Sequence, residues 1–205
     1  MRSTRISKFI ILFDSVYFED NMSNEINGVN TEVLNSAFNM MKNQPEMAKA
    51  TFYVKSEWNG GFGITSRCKD FRMGGQTIQR IGEHKMVYDF PEQFSGEGRG
   101  ATVCENCMGS LAACLTQTIV AHAISRGIKL DSVNVSVEGD VDLRGFSGLS
   151  SNVRPGAQQF RVNVKINSDT ASEEQINELH ELGKKFSPAF DTLTNGTSVI
   201  ITNSQ

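Results

Sequence analysis

The 28 residues from Gly100 to Gly127, GATVCENCMGSLAACLTQTIVAHAISRG, constrain the fold more than any other stretch. Leu111, Leu115, Ile119, Val120 and Ile124 supply apolar surface, while Ala101, Ala112, Ala113, Ala121, Ala123, Gly109 and Ser110 let another backbone come close. The segment is nearly uncharged and reads as one long helix. Gly127 can take the left-handed conformation that ends it. A helix that is apolar most of the way round belongs in a core or an interface. It carries three of the four cysteines. A thiol half-way along it, Cys114, is then either inert packing or a guarded reactive group.

The remaining pattern is α+β. Leu34, Ala37, Phe38 and Met41 follow helical spacing, with Thr31 as the expected N-cap and Pro45 beyond the end. Thr51–Val54 and Gly63–Arg67 read as strands around the Asn59-Gly60-Gly61 turn, and Thr77–Ile81 with Lys85–Asp89 as a further pair across Gly82. Phe94–Gly100 is a glycine-rich loop into the long helix. Val133, Val135 and Val137 alternate, as do Phe160, Val162, Val164 and Ile166, so two half-buried strands are expected, joined by the polar segment Gly139–Gln158. Ser172 and Gln175 have capping-box spacing ahead of Ile176, Leu179 and Gly183. Asn195-Gly196 is a turn and Thr197–Thr202 a closing strand. The expected order is strands, long buried helix, two strands, helix, strand.

A chain of 205 residues is long enough for a substantial core. Two parts are expected: an N-terminal extension, 1–49, with a short amphipathic helix, and a domain over 50–205. Met1–Lys8 is basic and Phe9–Phe13 apolar, but Asp14 stops the run too early for a signal peptide, and Met22 is a candidate start. No uninterrupted apolar run of membrane-spanning length is evident, so no membrane partner is expected. The net charge of −3 is spread without a basic cluster, which argues against nucleic acid. Three cysteines crowded on one helix are not a disulfide framework, and a reducing cytoplasm is the expected location.

Glu105 to Leu115, E-N-C-M-G-S-L-A-A-C-L, resembles the core helix of the OsmC/Ohr family, the osmotically inducible protein C and organic hydroperoxide resistance proteins. The resemblance continues through Gly127-Ile128, the segment VSVEGDVDLRGFSG (Val135–Gly148) and SPAFDTL (Ser187–Leu193). It implies an OsmC-like fold whose long helices pack together in an intertwined homodimer. It also implies stress-response thiol chemistry on an organic hydroperoxide, with Cys114 as the attacking thiol.

Thiol-based peroxide reduction needs an ionised cysteine, a cation that stabilises it, a carboxylate that holds the cation, and a second thiol that resolves the sulfenic acid. In the family's peroxidases the carboxylate lies ten positions before the cysteine, where this chain has Cys104. Glu105 is one position nearer and points opposite Cys114 on a continuous helix. The family's arginine aligns with Gln93, leaving Arg99 and Arg67 as substitutes. The family's resolving cysteine corresponds to Ser187, before Pro188, so a two-cysteine mechanism is not expected. Cys107 lies about 10 Å along the helix from Cys114, too far for a disulfide within one helix. A bond from Cys107 to Cys114 of the partner subunit, or an external small-molecule or protein thiol, remains open as the resolving step. The site residues are thus Cys114 and Glu105, with Cys107, Arg99 and Ser187 as auxiliaries.

Other chemistries are weaker. Cys104-x-x-Cys107 lacks a second ligand pair for zinc, and the order of elements is not that of thioredoxin. His84, His122 and His180 are isolated. No metal and no cofactor are expected. Glu138, Asp140 and Asp142, closed by Arg144, read as a solvated edge with local ion pairs. Two functions stay open: a one-cysteine peroxidase, or a non-catalytic protein that binds an acyl chain or similar hydrophobic small molecule. A purely structural dimer is a third.

Overall fold

The computed structural model describes residues 24–203. The basic start, the Phe9–Phe13 run and Met22 lie outside them. A small hairpin, β1 (Glu25–Ile26) and β2 (Val29–Asn30), leads into helix α1 (Thr31–Asn43). The N-cap is Asn30 rather than Thr31: the Asn30 side chain accepts from Val33 N at 3.1 Å, and the Thr31 hydroxyl instead donates to Asn24 O. The Asn27 side chain donates to Ile128 O and accepts from Leu130 N, tying the hairpin to the turn after the long helix.

Two three-stranded antiparallel sheets follow. One has the order β3 (Ala50–Thr51), β6 (Phe71–Met73), β7 (Gln76–Ile78); the other β4 (Lys55–Trp58), β5 (Ile64–Cys68), β8 (His84–Tyr88). The expected Thr51–Val54 strand is broken after Thr51, and the β4–β5 hairpin turns at Gly60 and Gly61, both with positive φ. The expected pair across Gly82 does not form. β7 pairs with β6 and β8 with β5. Ile81 is fully exposed, so the apolar residue that suggested a longer strand has no neighbour to pack on.

Helix α2 (Val103–Ser125) is the long helix. It starts later than Gly100 because Gly100 passes against the end of β8, where a Cβ would meet Val87 O at 2.3 Å. Thr102 then caps it: its side chain accepts from Glu105 N, and the Glu105 carboxylate accepts from Thr102 N at 2.7 Å. Arg126 is the C-cap, and Gly127 follows with φ +70. By length and composition this helix is long and apolar enough to cross a membrane, against the sequence expectation. Here it lies across an antiparallel pair, β9 (Ser132–Asp140) and β10 (Gln159–Asn167), and against helix α4 (Glu173–Phe186). Between β9 and β10 sits the short helix α3 (Leu143–Phe146).

The core is where these elements meet. Ile119 and Ala123 of α2, Ile128, Ile166 of β10 and Leu179 of α4 form one buried cluster. Gly183 lets α4 close on α2, since a Cβ there would stand 2.9 Å from Ile119 Cγ1. Ser172 caps α4 with Gln175 in a reciprocal box, as its spacing predicts. After α4 the chain forms helix α5 (Pro188–Asn195), with Ser187 as its N-cap. The closing strand expected over Thr197–Thr202 is absent: the segment has no regular secondary structure and is exposed. Val199, Ile200 and Ile201 have strand propensity, but no sheet edge among the described residues pairs with them.

Candidate functional site

Cys114 sits at the middle of α2, half-buried, opposite the start of α5. Its Sγ accepts two hydrogen bonds, one from Ser187 Oγ at 3.2 Å and one from Ala189 N at 3.4 Å. The local sequence explains both. Ser187 is the N-cap of α5, accepting from Phe190 N at 3.3 Å, and it is fully buried. Pro188 at the first helical position has no N–H, so the first free amide of the helix belongs to Ala189. That amide and the Ser187 hydroxyl converge on one sulfur.

The other expected residues are placed differently. Glu105 is held in the capping box, accepting from both the backbone N and the hydroxyl of Thr102. Those bonds hold its carboxyl below the usual range, the backbone one most, against a smaller opposing effect of burial. It caps the helix end and is half a turn away from the Cys114 side across a regular helix. Arg99 is engaged by the carboxylate of Asp89 at 2.9 Å and by that of Glu97 at 3.3 Å, with its guanidinium against Gly63. Arg67 pairs with Glu57 and Glu83 on the β4–β5–β8 sheet. Neither arginine is hydrogen-bonded to Cys114. Cys107 is half-buried and Cys104 exposed. Cys68 accepts from Arg80 Nη1 at 3.7 Å. It lines an open groove of about 380 Å³ whose other walls include Tyr53, Arg67 and Glu83, none of them on α2 or α5. His122 lies tilted against the Phe186 ring, centroids 5.0 Å apart, and faces Arg126, and burial, then the Arg126 charge, lowers its pKa.

Sequence reasoning missed Ala189 N and the buried Asp89. Asp89 accepts from Phe90 N, Arg99 N and Arg99 Nε, pinning the loop that feeds α2. The Arg99 hydrogen bond, chiefly, lowers its pKa against the opposing effect of burial. A folded value below the unfolded one means a contribution that is whole above about pH 4 and is lost as pH falls through the folded value. The protection of the Gly98 and Arg99 amides, taken as intrinsic over observed exchange rate, should therefore fall in the wild type as pH drops below about 4, and in Asp89→Asn it should be low throughout. Equal pH dependence in the two proteins would mean that Asp89 does not anchor the loop.

The acidic row is a set of local ion pairs: Glu138 and Asp140 with Arg161, and Asp142 with Arg144, which lowers the Asp142 carboxyl to about 2. Among the described residues, no His, Cys, Asp and Glu groups gather to hold a metal ion.

A long apolar helix laid over a two-stranded antiparallel pair, with its central thiol facing a capped second helix, defines an α+β thiol scaffold. The family model for OsmC-like protein matches residues 96–202, and the chain belongs to that family. The fold is shared with an OsmC-like protein from Mycoplasma pneumoniae at 19% identity and a TM-score of 0.53, covering 70% of this chain and 86% of that one. It is also shared with a protein from Psychrobacter arcticus 273-4, described as an osmotic stress induced and detoxification response protein, at 12% identity and a TM-score of 0.52, covering 70% of this chain and 88% of that one. No curated protein matches the sequence.

Proposed function

We propose that this protein is a one-cysteine, thiol-dependent peroxidase for organic hydroperoxides, with Cys114 as the attacking thiol. The observation that carries this reading is the pair of donors, Ser187 Oγ and Ala189 N, on the Cys114 sulfur. The Cys114 thiolate attacks the distal peroxide oxygen, the O–O bond breaks, and the alcohol leaves after taking a proton. The resulting sulfenic acid condenses with an external thiol, releasing water, and a second external thiol frees Cys114 as a disulfide of the reductant departs. Ser187 offers a hydroxyl where a resolving thiol would stand, so the reductant must come from outside.

Glu105 serves this chemistry only by fixing the start of α2, and Arg99 by ordering the loop before it. The family's intertwined homodimer belongs to the same proposal. Gly109, Ser110 and Ala113 form an exposed small-residue face on α2, and Trp58, Phe52 and Val87 are exposed on the N-terminal strands and the segments beside them. A second copy would cover both. Free thiols crowded on one helix fit a reducing compartment such as the cytoplasm.

Intact-mass analysis after one equivalent of an organic hydroperoxide tests the reading. The wild type should gain one oxygen, or a mixed disulfide when a monothiol is present. The Cys114→Ser variant should gain neither, and its turnover should fall by at least about a thousandfold, as expected for loss of a nucleophile. Equal, slow oxidation in both proteins would leave the non-catalytic reading, a hydrophobic-ligand binder on the same scaffold.

A further inference from the structure

Ser187 reaches Cys114 from the break between two helices. It is at once the C-cap of α4 and the N-cap of α5, with extended backbone at φ −74 and ψ 114. Its amide donates to Gly183 O at 3.2 Å and its hydroxyl to Cys114 Sγ at 3.2 Å. Where that hydroxyl stands therefore depends on how the last turn of α4 is held against α2, and helix ends fray. The two helices run antiparallel, so their contacts step along both: Glu178 with Arg126, Gly183 against Ile119, Ser187 on Cys114.

His122 meets the end of α4 along this seam. Its ring packs against that of Phe186, the last residue of α4, with centroids 5.0 Å apart and planes at 35°. Its Nδ1 is 3.2 Å from Arg126 Nη1, and a guanidinium only donates, so Nδ1 accepts. Arg126 Nε donates in turn to Glu178 Oε1 of α4 at 3.0 Å. The guanidinium that orients the ring is thus anchored by α4, and the ring packs on the residue immediately before Ser187. Burial, then the Arg126 charge, lowers the His122 pKa against the opposing pull of Glu178. The net effect favours the neutral ring, the form whose Nδ1 can accept.

We propose that His122 is a positioning residue for the Cys114 site: acting through Phe186, it holds the end of α4 so that the Ser187 hydroxyl stays on the sulfur. It does not touch the sulfur itself, since it lies eight residues, about 12 Å, further along α2. Phe186 packs on the ring rather than on its nitrogen, so His122→Phe keeps the geometry and His122→Ala loses it. Any part of His122 in turnover rests on the reading of Cys114 as the attacking thiol; the positioning does not.

Amide exchange on the full chain tests this without any peroxide. In His122→Ala, protection of the Ala189 and Phe190 amides, which bond to Cys114 and Ser187, should fall roughly fivefold, the weight of one hydrogen bond. His122→Phe should restore it, and the β9–β10 amides should hold steady in all three proteins. Alkylation of Cys114 by iodoacetamide, followed peptide by peptide, supplies a double-mutant cycle. His122→Ala should speed it roughly fivefold in the wild type and leave it nearly unchanged in Ser187→Ala, where the hydroxyl is already missing. Unchanged protection at Ala189 and Phe190 in His122→Ala would overturn the proposal. So would a loss shared with β9–β10, no rescue by His122→Phe, or alkylation effects that simply add. Should His122→Ala fail to fold by circular dichroism, His122→Leu takes its place in both measurements. An inactive wild type with the expected exchange pattern would end the peroxidase reading and leave the positioning standing.

Discussion

Ser187→Cys should turn the one-cysteine protein into one that resolves itself. After one equivalent of organic hydroperoxide, the variant should lose two hydrogens rather than gain an oxygen, with a disulfide between Cys114 and the new thiol. The Ser187 hydroxyl is already 3.2 Å from Cys114 Sγ. An S–S bond of about 2.05 Å needs only a small approach, part of it supplied by the longer C–S bond. Well-placed intramolecular partners reach effective molarities of roughly 10⁵ M in favourable cases, so resolution should outrun over-oxidation by at least about a hundredfold. The cost is a weakened N-cap. Ser187 accepts from Phe190 N, and losing such a cap costs about 1 kcal/mol, too little to undo the effect. An oxygen adduct that persists beside two unlinked sulfurs would show that α5 does not stand against Cys114 in solution.

The features that the sequence made legible are those carried by periodicity. The long helix, the β9–β10 pair and the α4 box follow from apolar spacing and a Ser-x-x-Gln signal, and these local rules agree with what the fold needs. The contact that makes the candidate site, Ser187 on Cys114, spans 73 residues, and no spacing within either element announces it. The family resemblance pointed to Ser187 as the counterpart of a resolving cysteine, but not to the Ala189 amide beside it. That amide is free only because Pro188 occupies the first turn of a helix, and the Ser-Pro start was itself a legible signal for α5. Thr102 and Glu105 likewise have capping-box spacing. Glu105 read as a catalytic carboxylate because the resemblance puts the peroxidases' carboxylate one position away from it, whereas its spacing from Thr102 is that of a cap. Arg99 was legible only as a charge near the helix start. Its partner, Asp89, is ten residues back on the end of a strand, so the pair exists only once β8 and the loop are folded.

Leu179→Ala should be the most destabilising single truncation, costing about 2–5 kcal/mol. Leu179 is fully buried where α4 meets α2, against Ile119, Ala123, Ile128 and Ile166. Few side chains are so enclosed: among the described residues only Ile119, Leu179 and Ser187 are the large ones with almost no exposure. Domains of this size have about 5–15 kcal/mol of net stability, so the loss is a large share of it and should lower Tm by roughly 5–15 °C. Calorimetry at two protein concentrations separates the two sources of stability. The Leu179 cluster is built within one chain, so the difference between variant and wild type should be the same at both. The absolute Tm of each protein should rise with concentration if a second copy covers the exposed face of α2. Exposed Ile201 is the control, since Ile201→Ala in a lone chain should change stability by less than about 0.5 kcal/mol. A fall for Ile201→Ala as large as that for Leu179→Ala would place the tail in an interface between copies, while a negligible fall for Leu179→Ala would mean that α4 does not form the core with α2.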